Sequence, residues 1–168
     1  MILNAVLDDG FEYAETPEQA DALVRRVVSE LRSGNPWVNM DAGDEVTFVL
    51  GDRKYTDEDL FGNWDPYGEL QVTANTRTGF GAVRWNYRFM SCSAEPPWDP
   101  QVIGDPGFPR WYHPRYVIPL ARVEESVREF SRTGGQRPGC IEWAEDGGDH
   151  DRLYLDAVQY RAMFRHAA

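Results

Sequence analysis

The chain predicts an α+β fold, mainly an antiparallel sheet with two amphipathic helices packed on one face, in a single domain spanning residues 1–168. Three features carry that expectation. Apolar residues recur at three- and four-residue steps in two stretches, while short β-branched and aromatic runs elsewhere alternate with polar residues. Between two such runs, "NTRTG" (75–79) is a strong hairpin signal. With 42% hydrophobic residues and 6 Trp, 8 Tyr and 8 Phe, the chain can bury enough surface for one substantial core, and a second would be cramped in 168 residues.

The elements follow in order. Ile2–Leu7 suits a first strand, and "DDGFEY" a turn. Thr16 is a helix N-cap, Pro17 suits the first helical position, and Gln19 stands where a capping box needs it. Ala20, Leu23, Val24, Val27, Val28 and Leu31 then share one face, with Glu18, Asp21, Arg25 and Arg32 toward water and Gly34 as the stop. "EVTFVL" (45–50) reads as a strand and "GDRKY" as a turn into another. Around the hairpin, "GELQVTAN" is one arm and "GFGAVRWNYRFMS" the other; in the second, Val83, Trp85, Tyr87 and Phe89 alternate with Arg84, Asn86 and Arg88, giving one apolar and one basic face.

Residues 94–114 hold six prolines, which predicts a long stiffened loop carrying Trp98, Trp111 and Tyr112. "RYVIPL" fits a short strand, and "RVEESVREFSRTGG" a second amphipathic helix through Val123, Val127 and Phe130, closed by Gly134 and Gly135. Pro138 prevents its resumption, so Cys140, Ile141 and Trp143 start a strand back into the sheet. "AEDGGDHD" is a polar turn, and Leu153–Phe164 fits both strand and helix.

Catalytic patterns are missing from the sequence. There is no G-x-S-x-G, and "GFG" at Gly79–Gly81 has Arg84 where a dinucleotide fingerprint needs its third glycine. "DEDLFG" starts like a calcium loop with Asp57, Asp59 and Gly62, but Phe61 offers no oxygen and Gly68 replaces the closing carboxylate. Cys92 and Cys140 lack metal or redox spacing, His113 and His166 have no recognisable partner, and "DGGDHD" (146–151), which sets His150 among carboxylates, reads as a hydrated turn, so no cofactor and no metal are expected. No run approaches the ~20 apolar residues of a membrane helix, and "MILNAVLDDGFEYAE" has no signal-peptide pattern. A cytoplasmic protein without membrane contact is expected.

The charge is lopsided. Of 28 acidic and 17 basic residues, 16 and 5 lie within residues 1–69, leaving 12 and 12 beyond, so the whole net −11 belongs to the first part of the chain. Such a surface repels nucleic acid and steers basic proteins toward it.

Residues 116–143 carry a more specific pattern: "VIPL", then "VREFSRTGGQRPGCIEW" with Phe130, Thr133, Gly134, Arg137, Pro138, Cys140 and Trp143. This stretch resembles the C-terminal signature of the first-numbered immunity-protein family (Imm family one) of bacterial polymorphic toxin systems. "YGELQVTANTRTGFGAVRW", with Gly79, Gly81 and Trp85, is similar to that family's central hairpin, and "FEYAETPEQADALV" to its opening strand, turn and helix. The resemblance implies an α+β protein without catalytic activity, encoded beside a toxin that it neutralises, often one that attacks nucleic acids, such as a deaminase or nuclease.

The expected partner is therefore a cognate toxin domain with a basic surface. Charge speeds encounter and aromatic anchors hold the complex, which points to "TDEDLFGNWDPYGE": Asp57, Glu58, Asp59, Asp65 and Glu69 around Trp64 and Tyr67, with Trp98 and Trp111 as second choices. Trp85 and Trp143 read as core. Two other readings stay open: a small hydrolase or ligand-binding domain with residues 94–114 as a lid and Glu142 or Asp146 at its site, and a scaffold protein in a larger assembly.

Overall fold

The computed structural model describes residues 1–7, 10–31, 45–105, 110–145 and 153–165. In chain order these form β1 (Ile2–Leu7), β2 (Gly10–Ala14), α1 (Pro17–Glu30), β3 (Glu45–Gly51), β4 (Gly68–Asn75), β5 (Phe80–Trp85) and β6 (Phe89–Cys92). There follow β7 (Ile103–Asp105), β8 (Arg110–Tyr112), β9 (Ile118–Pro119), α2 (Leu120–Arg132), β10 (Glu142–Glu145), β11 (Tyr154–Leu155) and α3 (Ala157–Phe164). The main sheet runs β10-β6-β5-β4-β3-β1-β2, with β9 also paired to β5, and its neighbours are antiparallel.

The α+β expectation holds, and both amphipathic helices cover one face. Leu3 and Ala5 of β1, Val46, Phe48 and Leu50 of β3, Leu70 and Val72 of β4, and Val83 of β5 meet Leu23, Val24 and Val27 of α1 and Val123, Val127 and Phe130 of α2. The capping box is present: Thr16 Oγ1 accepts from Gln19 N and Gln19 Oε1 accepts from Thr16 N, each at 3.3 Å. Leu31 caps the helix end, and Gly34, expected as its stop, lies outside the described residues.

α2 ends as the sequence requires. Gly134 and Gly135 take φ of 76° and 84°, where a side chain is strained, and Gly135 N donates to Phe130 O at 3.0 Å. Glu129 then clamps the returning chain, accepting from Gly139 N and Cys140 N at 2.9 Å each. Burial and the adjacent Glu129 carboxylate push the Cys140 thiol up to about 12. Trp85 Nε1 donates to Gly135 O and Trp143 Nε1 to Pro138 O, so both indoles brace this corner against the main core. Gly68 at the start of β4 passes directly over it; a Cβ there would run into the Gly135 carbonyl oxygen.

The other face of the sheet differs from expectation in three places. The second hairpin arm is not one strand: Asn86 (φ 47°) and Tyr87 (φ 53°) turn left-handed, and β6 folds back so that Trp85 pairs with Phe89 and Arg84 with Met90. Asparagine tolerates that conformation, and Asn86 Oδ1 rewards it by accepting from Glu69 N at 2.8 Å. The Pro-rich stretch is not all loop. Three-residue β7 and β8 fit in the gaps between prolines and, with β11, make a second antiparallel sheet in the order β11-β8-β7. Val102, Tyr112 and Leu153 from this region bury against Ala82 and Met90 of the main sheet, together with Tyr116 and Val117. Finally, "GDRKY" leads into no strand; Tyr55 is buried instead, its N–H donating to the Oδ1 of buried Asn4 at 2.9 Å.

Leu153–Phe164 uses both forms that its pattern allows, β11 and then α3, whose N-cap Asp156 accepts from Val158 N and Gln159 N. Asp146, His150 and His166 lie outside the described residues. Among the described residues, no helix is long and apolar enough to cross a membrane.

Candidate partner-binding surface

The β3–β4 connection, residues 52–67, is organised around one guanidinium. Arg53 donates to Asp59 Oδ1 at 2.6 Å and to the carbonyl of Asn63 at 2.8 Å, and lies 3.4 Å from Asp65 Oδ1. Thr56 closes the turn, its N–H and hydroxyl both donating to Asp59 Oδ2. Asp59 is consequently buried, and the Arg53 guanidinium, followed by the Thr56 amide, holds its pKa below the ordinary 3.8. Its charge is spent inside the loop.

Beneath this network the Tyr55 ring sits 5.1 Å from that of half-buried Trp64 and 4.6 Å under Arg53. Burial, then the hydrogen bond to Asp65, raises the Tyr55 hydroxyl to about 12. The Trp64 indole donates to Glu69, so both residues of that pair are partly committed. Lys54, the loop's other base, pairs with Glu15 at 2.7 Å.

What these internal contacts leave for a partner is a single 3₁₀ turn, Asp59–Phe61, and its approaches. Asp57 and Glu58 are exposed; Leu60 is 45%, Phe61 90% and Tyr67 57% exposed. A phenylalanine ring almost wholly in water gives the fold nothing, so it is an informative surface feature in a way that a half-buried Leu is not. Leu60 and Phe61 were not among the residues singled out from the sequence, although "DEDLFG" already placed two apolar side chains between carboxylates in a turn.

Trp98 and Trp111 stand elsewhere. Asn75, at the end of β4, donates from Nδ2 to Gln101 O at 2.8 Å, and Thr78 Oγ1 donates to Pro100 O at 2.7 Å, which straps residues 98–101 to the β4–β5 hairpin. Loop 52–67 enters at Gly68, so the two sets lie at opposite ends of eight-residue β4, about 23 Å apart at ~3.3 Å per residue. Trp111 stacks on Tyr160 of α3 at 5.4 Å, and exposed Trp98 meets Phe164 edge-on at 4.9 Å. The segment is no free lid: Val102, Ile103 and Tyr112 are at most 2% exposed. Glu142 is exposed on β10.

Comparison with known proteins adds one finding. A family model described as Immunity protein Imm1 matches residues 8–145, a span that includes loop 52–67 and the Gly134–Gly135 corner and stops before α3. No curated protein matches the chain.

Proposed function

Because the chain belongs to the Imm1 immunity-protein family, we propose that it binds a cognate toxin domain and holds it inactive, with the 52–69 segment as the contact surface. The carrying observation is Phe61, 90% exposed beside the exposed Asp57 and Glu58. Carboxylates around an aromatic knob suit a basic cleft such as that of a nucleic-acid-targeting deaminase or nuclease. The acids accelerate encounter, and the ring, once desolvated in the cleft, supplies a large share of the affinity. Leu60 and Tyr67 extend the apolar contact, while Asp59, Asp65, Trp64 and Glu69 hold the turn in shape through Arg53, Tyr55 and each other. The protein acts in the cytoplasm by occluding the toxin's active site.

Co-expression with the toxin domain encoded beside it tests the reading, with growth rescue as the expected result; equal killing with and without the chain rejects it. Phe61→Ala is expected to raise the dissociation rate about 30-fold, the equivalent of ~2 kcal/mol for a hot-spot aromatic. Asp57→Asn with Glu58→Gln is expected to slow association several-fold and flatten its salt dependence. Binding kinetics unchanged in both variants would move the interface off this loop.

A further inference from the structure

The far end of β4 carries a concave surface that the loop does not use. A groove of about 390 Å³ runs between the 98–101 strap and α3, lined by Asp99, Trp111, Tyr160, Phe164, Arg161 and Arg165 among others. Its strap is held in an unfavourable backbone form: Asp99 and Gln101 have φ of 43° and 51° and are kept there by Asn75, Thr78 and the Tyr160 hydroxyl, which accepts from Gln101 N at 2.7 Å. Trp98, 61% exposed and edge-on to Phe164, adds apolar surface beside it.

The groove's lining is net positive: exposed Arg161 and Arg165, which form no ion pair with a described residue, outnumber the one carboxylate, Asp99, which accepts from Gln101 Nε2 at 2.9 Å. Aromatic walls with two unspent guanidiniums suit an apolar side chain flanked by carboxylates. The molecule displays such an element at its opposite end, where Asp57 and Glu58 accompany Leu60 and Phe61.

We infer that the groove receives the Asp57–Phe61 turn of a second copy, joining molecules head to tail. The ~23 Å between the two ends along β4 keeps a chain from filling its own groove. In this head-to-tail arrangement each copy keeps one unused end, a knob or a groove, so the contact is heterologous and adds copies in a row. The net −11 opposes approach of whole molecules. At about 0.1 M salt that repulsion is screened beyond ~10 Å, while carboxylate–guanidinium pairs in contact persist. On the toxin-binding reading above, a copy so engaged has Phe61 covered and is withheld from the toxin.

Sedimentation of the purified chain alone tests the association, independently of any toxin. At about 0.1 M salt the average mass of the wild type is expected to rise with concentration past that of a dimer. Phe61→Ala, and separately Arg161→Ala with Arg165→Ala, should each remain monomeric with an unchanged circular dichroism spectrum. An equal mixture of these two variants should give a one-to-one pair and nothing larger, since each keeps one intact end. A wild type monomeric at all concentrations, growth that survives either variant, a plateau at two copies or a mixture that stays monomeric would each overturn the inference; the first would leave the groove to a partner segment of the same acidic, aromatic chemistry.

Discussion

The two ends of β4 present aromatic side chains in opposite ways. At the Gly68 end one continuous segment folds on Arg53 and pushes Phe61 outward, so the surface is a knob and its unspent charges are acidic. At the Asn75 end the rings of Trp98, Phe164, Tyr160 and Trp111 lie against one another, contributed by the strap, β8 and α3, and the unspent charges are basic. A local turn can display a side chain with few long-range contacts, whereas a hollow needs walls from several segments. The first is a property of a dozen neighbouring residues, and the second of the whole chain's path.

Substitutions at the two strand ends sharpen that contrast. Gly68→Ala has the largest expected effect, about 3 kcal/mol of stability, because the new methyl meets the backbone carbonyl of Gly135, which cannot swing aside as a side chain would. Urea unfolding measures it; a loss below ~0.5 kcal/mol would mean that the corner gives way freely and that the knob's base is soft. Asn75→Ala comes next, at about 2 kcal/mol, since Asn75 is 1% exposed and its side chain holds Gln101 O and receives Arg77 N. Hydrogen exchange is expected to rise at residues 98–101 and to stay unchanged at 53–63. Faster exchange at both ends would show that the poles are coupled through β4.

The smallest effect is local and pH-dependent. Asp59 has a folded pKa below 3.8, so its contribution is present above the unfolded value and is lost as pH falls through the depressed folded value. Amide protection at Thr56, which donates to this carboxylate, should be constant above about pH 4 and decline below it. Asp59→Asn should remove that step, and an unaltered profile would mean that the carboxylate does not order the loop.

Legibility followed the same divide. Thr16 and Gln19, "NTRTG" and the paired glycines after α2 are local signals, and the structure contains the cap, hairpin and helix stop that they specify. The Asn86–Tyr87 turn escaped because Val83, Trp85, Tyr87 and Phe89 satisfy strand alternation equally well whether or not the chain reverses. Prolines at 96, 97, 100, 106, 109 and 114 hid β7 and β8, which occupy three residues each and gain their pairing from one another and from distant Tyr154–Leu155. The acidic segment could be read in place, but which acids remain free could not: Asp59 and Asp57 look alike until Arg53 selects one. The groove gave no local sign, because its walls are more than fifty residues apart in sequence, as Gln101 and Tyr160 illustrate.

The Glu129 clamp has a consequence for the chemistry of sulfur. With the Cys140 thiol raised to about 12, only about one molecule in 10⁵ carries its thiolate at pH 7, and peroxides and maleimides react with that form. Burial and the Glu129 carboxylate therefore slow the reaction of Cys140 with oxidants and labelling reagents near neutral pH. The same glutamate that fixes the returning backbone thus also keeps this sulfur in its thiol form.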